Sequence, residues 1–296
     1  MRLRIGTRGS KLALAQAGEV AGLLEEAGHR TELVSISTAG DRGASPTSSP
    51  AGVKGLFVAE ITDALSRGDV DLAVHSAKDL PSEDPPGVIV AAVPERGVPY
   101  DVLVTGGSSL APGAVVGTGS LRRGAQVVRA HPGVRVTPMR GNVDTRLRKL
   151  DEGEVDALVL AGAGLARLGL SPEHAAPIPV EDMVPAPGQG ALAVQAREGD
   201  PAADVAEALD HPASRIAFEA EREVVVLLGG GCRLPLGAYA ERREGAVRLL
   251  AVVIRPDGSD LLWSQVEADG PRAAAGEAAE VLLAAGAGNI LEQVRE

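Results

Sequence analysis

The chain has 296 residues, 45% of them hydrophobic and only 2% aromatic, with a formal net charge of −11. That length suits two or three domains with cores of Ala, Val, Leu and Ile, and the negative balance argues against a general nucleic-acid binder, whose phosphate contacts need a basic surface. The single cysteine, Cys232, excludes an internal disulfide and a cysteine-cluster metal site, and fits a reducing compartment.

The opening MRLRIGTRGSK is basic but has no apolar signal core and no small-residue cleavage site. No stretch reaches the apolar length of a membrane span. The expectation is a soluble, cytoplasmic protein with neither membrane nor nucleic-acid partner. In chain order, LRIGT (3–7) predicts a short strand, and Ser10 is placed to cap the helix KLALAQAGEVAGLLEEAG. TELVSIST (31–38) alternates as a strand does. Residues 39–55, AGDRGASPTSSPAGVKG, hold almost nothing apolar and predict a mobile loop, a lid over a site. LFVAEITDALSRG predicts an amphipathic helix, and VDLAVHSAKDLP a strand running into a loop. This β-α-β-α-β order implies a parallel sheet. A second α/β unit runs from AVVGTG to LARLGL, and PAPGQGALAVQ (185–195) predicts a Pro/Gly crossing and a strand returning to the first domain. Further on, a helix leads to LLGGGCRLPLG, followed by strands without intervening helices and one Ala-rich helix, PRAAAGEAAEVLLAAGAGNILEQV. The reading is α/β with three domains: 1–95 with 190–210, 96–189, and a smaller α+β domain over 211–296 that carries Cys232.

Four junctions at strand ends carry the polar chemistry. They are GTRGS (Arg8, Ser10), VHSAKDLP (Ser76, Lys78, Asp79), GTGSLRRG (Thr118, Ser120, Arg122, Arg123) and PMRGNVDTRLRK (Arg140, Arg146). Ligands of open α/β sheets bind at the carboxyl ends of strands. Arginines at a helix N-terminus oppose the macrodipole unless they and the free N–H groups share an anion. One such junction reads equally as a solvated basic face; successive junctions favour a multi-anionic ligand, since the guanidinium fork suits carboxylates and phosphates. No P-loop and no dinucleotide glycine motif is present. Asp79 reads either as half of a surface salt bridge or as a carboxylate that stabilises a cation and moves protons. His75 reads as a structural histidine. Cys232, behind three glycines, reads as an incidental thiol or as a site of covalent attachment or nucleophilic chemistry, because glycines admit a bulky group close to the backbone. No metal site is expected.

The segments RIGTRGSKLALAQ, VKGLFVAEI, DLAVHSAKDLP, GTGSLRR, RGNVDTRLRKL, LAGAGLARLGL, PGQGALAVQ and GGGCRLPLGAYA occur in the order found in one family. They resemble the hydroxymethylbilane synthases, also called porphobilinogen deaminases. The resemblance implies two α/β domains like those of periplasmic binding proteins and a third, α+β domain with a cysteine loop. It implies a transferase of tetrapyrrole (heme and porphyrin) biosynthesis that joins four porphobilinogen molecules head to tail, releasing ammonia, and then frees hydroxymethylbilane by hydrolysis. The chain would grow on a dipyrromethane cofactor held by a thioether to Cys232, in a monomer. Arg8, Arg122, Arg123, Arg140, Arg146 and Arg167 would hold the acetate and propionate groups, with Ser10, Ser76, Lys78, Thr118 and Ser120 adding hydrogen bonds. Asp79 would be catalytic, stabilising the azafulvene cation formed when ammonia leaves. Gln189 would lie at the domain crossing, and Lys54 and Phe57 on the lid. Two departures stand out: GTGS has glycine where many relatives have a second serine, and FVAEI lacks a lysine common after the phenylalanine. The competing class is a non-catalytic two-domain binding protein for a polycarboxylate; a thiol redox enzyme would lack a resolving cysteine.

Overall fold

The computed structural model describes residues 1–38, 52–229 and 234–295, the side chains of 52–57 and 295 aside. Three strands begin the first sheet: β1 (Arg2–Arg8), β2 (Arg30–Ile36) and β3 (Leu72–Ser76), all parallel. Strand alternation sends side chains to opposite faces. Leu72 and Val74 join Leu3 and Ile5 under helix α1 (Lys11–Glu26), which buries Ala17, Val20 and Leu24 there. Ala73 faces the other way, under Ile61, Ala64 and Leu65 of α2 (Gly52–Arg67). Residues 52–55, expected in the loop, instead open α2.

The sheet is not wholly parallel, as the β-α-β order had implied. Strand β10 (Leu192–Arg197) enters between β3 and β4 (Val88–Ala92), antiparallel to both. The strand expected to return to the first domain does so, but local order does not tell which strands it joins or in which sense. The second sheet repeats the device. It has the order β7-β6-β8-β5-β9, formed by β5 (Asp101–Thr105), β6 (Val115–Gly117), β7 (Arg135–Thr137), β8 (Ala157–Ala161) and β9 (Ala175–Pro177). Here β5 lies antiparallel to β8 and β9. Helices α3 (Leu121–Ala130), α4 (Val143–Asp151) and α5 (Gly162–Arg167) follow β6, β7 and β8. Helix α6 (Pro201–Glu207) closes the first core through Ala202, Ala203 and Ala206.

The third unit is an antiparallel meander, β11 (Leu236–Arg243), β12 (Ala246–Ile254) and β13 (Leu261–Ala268). Its covering helices are α7 (Pro212–Leu227), α8 (Pro271–Ala284) and α9 (Ala287–Arg295). The single Ala-rich helix expected at the end is two helices, broken at Gly286, whose φ of 98° lies in the left-handed region open to glycine. Alanines 217, 220, 251, 274 and 278 fill the helix–sheet interface, so the layers approach closely without aromatic side chains.

Two crossings link the first two sheets, and they pair with each other: Gly97 N–H donates to Gly190 O at 3.2 Å. The third unit rests on this junction. The fully buried Glu221 of α7 accepts from Arg96 Nη1 (2.6 Å), from Gly188 N (2.6 Å) and from Ala240 N (2.8 Å).

Candidate active site

A cleft of about 410 Å³ opens where the strand ends of the two sheets face each other. Six cationic side chains line it, Arg8, Lys11, Lys78, Arg123, Arg146 and Arg167, against two carboxylates, Asp79 and Asp144. Ser10 and Ser76 add hydroxyls. The local sequence explains these placements. Ser10 caps α1, its Oγ accepting from Ala13 N at 3.2 Å, so β1 must turn sharply and leave Arg8 at the rim. After β3 a single turn of 3₁₀ helix, Ala77–Asp79, delivers Lys78 and Asp79. That turn is anchored by Ala77 N–H donating to Ala191 O at 3.0 Å. The crossing segment packs on it so closely that a Cβ at Gly188 would lie 2.9 Å from Ala77 C and Lys78 N.

Burial, and next the charge of Arg123, push the Lys78 ammonium down to about 8. Burial and Arg123 also lower Arg146. In both, burial is the larger cause and a neighbouring cation the second; for Lys78 the charges of Asp79 and Asp101 oppose the fall without cancelling it. His75, which also borders the cleft, is buried, and burial pushes its pKa down to about 4, so it is neutral near pH 7. Its Nε2 has no hydrogen-bond partner among the described residues.

Several expected site residues stand outside the cleft wall. Arg122 is 3% exposed and turns inward, its Nη1 2.9 Å from Asp101 Oδ2 and donating to Val184 O at 2.7 Å. Through these two contacts it braces the crossing. Arg123 borders the cleft, yet its Nε and Nη2 donate to Asp101 Oδ1 at 3.1 and 2.7 Å. Thr118 is buried, and its hydroxyl accepts from Ser120 N. Ser120 caps α3, accepting from Arg123 N at 3.4 Å. Gln189 lies at the crossing, as expected, donating to Asp101 Oδ1 at 2.8 Å and to Pro99 O at 2.7 Å. Arg140 is exposed just before Gly141 of the rim. Cys232 and residues 39–51 lie outside the described residues, as do the side chains of Lys54 and Phe57.

Asp101 is the residue that sequence reading missed. It is fully buried. Burial would raise its pKa, but the Arg122 and Arg123 charges more than offset this and hold it well below the usual carboxylate range. The one available signal was a charged residue opening the apolar strand DVLVT.

Two α/β walls around a cation-lined cleft, with a carboxylate on a rigid turn inside it, define a clamp for a multi-anionic ligand that carries its own acid–base group. The family described as "Porphobilinogen deaminase, dipyromethane cofactor binding domain" matches residues 3–205, and "Porphobilinogen deaminase, C-terminal domain" matches residues 216–285. The chain is 47% identical over 302 residues to the porphobilinogen deaminase of Desulforudis audaxviator, covering 98% of this chain and 97% of that one. It is 46% identical over 299 residues to that of Rubrobacter xylanophilus, covering 99% and 98%. The chain belongs to the porphobilinogen deaminase family. Among solved structures, a periplasmic substrate-binding protein of an ABC transporter from Coxiella burnetii is similar at a TM-score of 0.42 and 16% identity, covering 70% of this chain and 91% of that one. No helix among the described residues is long and apolar enough to cross a membrane.

Proposed function

We propose that this cleft performs the hydroxymethylbilane synthase reaction, joining four porphobilinogen molecules head to tail with loss of ammonia and releasing the linear tetrapyrrole by hydrolysis. The observation that carries the reading is the donor set: six cations and two serines around Asp79, which fits pyrroles bearing an acetate and a propionate each. The same donor set fits the dipyrromethane cofactor, itself a polycarboxylate. When bound, that group supplies a covalent primer whose free pyrrole α-carbon accepts the first substrate unit.

Arg8, Arg146 and Arg167 hold ligand carboxylates, with Lys78, Ser10 and Ser76 beside them. Arg140 meets carboxylates at the rim. Arg122, Thr118, Ser120 and Gln189 act from behind the wall, fixing α3 and the crossing, and Arg123 contributes mainly its field. Asp79 holds pyrrole N–H groups, stabilises the azafulvene cation and moves the protons. Cys232 is the attachment point, and Lys54 and Phe57 belong to a cover over the cleft. The chain works as a cytoplasmic monomer of three domains with the boundaries given above. A purely binding role is not favoured, because a solute receptor needs no carboxylate on a turn so tightly braced.

The test is conversion of porphobilinogen by the purified protein. The expected outcome is hydroxymethylbilane formation, with Asp79→Ala folded but slowed by roughly 10²-fold or more in kcat. Substantial turnover by that variant would refute the role given to Asp79.

A further inference from the structure

We propose that Glu19, on the first-domain helix α1, is a positioning residue for Arg167 across the cleft. The proposal rests on Arg167 being a carboxylate ligand, as assigned above. Arg167 ends α5 in the second domain and borders the cleft, yet its side chain is only 9% exposed. Its Nε donates to Glu19 Oε2 at 2.8 Å, and its Nη2 donates to Gly190 O at 3.1 Å. One guanidinium therefore ties together the opposite domain, the paired crossing and the cleft wall. Two of its edges are spent on protein acceptors, and the remaining N–H groups of the fork are left for a ligand.

Glu19 is not itself part of the cleft wall, and its side chain is 40% exposed. It acts from behind, as an anchor on Nε that fixes the plane of the fork. A pair of two exposed side chains would carry little energy. Here the cation is nearly buried and has a second fixed acceptor, so losing Glu19 frees a rotation rather than a surface contact.

The packing around it agrees. Helices α1 and α5 approach where α5 has a glycine: a Cβ at Gly164 would lie 3.7 Å from Leu12 Cδ2. The same helix α1 meets the second domain again through Lys11 Nζ and Asp144 Oδ2 at 3.2 Å. That second pair is exposed on both sides and adds little. The cleft wall is mostly cationic, and Glu19 supplies the opposite sign to Arg167 from the facing domain, so Arg167 is presented in one orientation to the arriving carboxylate.

The test is steady-state kinetics and thermal unfolding on five proteins: wild type, Glu19→Ala, Glu19→Gln, Arg167→Gln and the Glu19→Ala/Arg167→Gln double variant. Glu19→Ala should raise KM for porphobilinogen by roughly five- to tenfold, with kcat within about twofold and the melting temperature nearly unchanged. Glu19→Gln keeps an acceptor oxygen and should restore most of the KM. In the Arg167→Gln background, Glu19→Ala should change nothing further, since it acts through that arginine. An unchanged KM in Glu19→Ala beside a damaged Arg167→Gln overturns the positioning role and leaves the ligand assignment standing. Additive effects in the double variant, or a fall in melting temperature that accounts for the lost activity, also overturn it. Wild-type kinetics in Arg167→Gln sink the ligand assignment and the proposal with it.

Discussion

Lys78 and Asp79 sit side by side on one turn. Lys78 finds burial and Arg123, and its pKa falls to about 8. The protonated ammonium is the form that holds a ligand carboxylate, so it is fully present below that value and lost as pH rises through it. We therefore expect kcat/KM, which reports the free enzyme, to decline above about pH 8. Lys78→Arg should flatten that decline, because a guanidinium stays charged. A pH–rate profile of the two proteins decides it; an identical alkaline limb in both would assign the decline to another group. The residues legible in sequence were those with chemistry at a strand end, Arg8, Ser10, Ser76, Lys78, Asp79 and Arg146 among them. The contact of Arg122 with Asp101 could not be read, because spacing gives a residue's place in a helix and says nothing of what its side chain meets. Asp101 was missed for the same reason: its partners, Arg122, Arg123 and Gln189, come from distant segments.

The crossing segment 185–191 is the element on which the site depends. Its glycines were readable as a turn, and the structure adds what they are for. Gly188 has φ 76° and no room for a Cβ beside the Lys78 peptide. Gly188→Ala should cost roughly 1–3 kcal/mol of stability from backbone strain alone, measured by urea unfolding. It should also lower kcat, because the turn carrying Asp79 must give way; full kcat in a destabilised Gly188→Ala would show that the turn and the crossing are not coupled. Strands β4, β5 and β10 illustrate why the sheets were only half legible. VIVAA and DVLVT are short and lack the strand–helix rhythm around them. Each pairs antiparallel with a strand far away in the chain, a choice made by the assembled sheet.

At the scale of the molecule, the third unit holds the other two together. Phe218 of α7 packs with Leu80, next to Asp79, while Glu221 ties α7 to Arg96 and Gly188. Its other face docks on the second domain: Val184 joins Leu250 and Val252, and Arg129 donates to Ser259 O at 3.3 Å. The cofactor reading also belongs at this scale, since it asks Cys232 of the third unit to serve a cleft between the other two. The intact mass of protein made in cells with porphobilinogen should exceed the sequence mass by one dipyrromethane, and the protein should colour with Ehrlich's reagent. Cys232→Ser should lack the thioether-linked mass; a normal loaded mass in that variant would place the attachment elsewhere, and an unmodified wild type would refute the cofactor reading.

The sequence by itself determined the elements and their chemistry: helix caps at Ser10 and Ser120, cations at strand ends, a glycine crossing, and an ordered set of motifs that identified the family. These are local facts, set by capping, periodicity and the order of motifs along the chain. Only the tertiary structure decided which cations face the cleft and which brace it. That choice follows from desolvation: a buried arginine must find a carboxylate, and Asp101, Glu221 and Glu19 are brought to Arg122, Arg96 and Arg167 by the meeting of sheets that are remote in sequence.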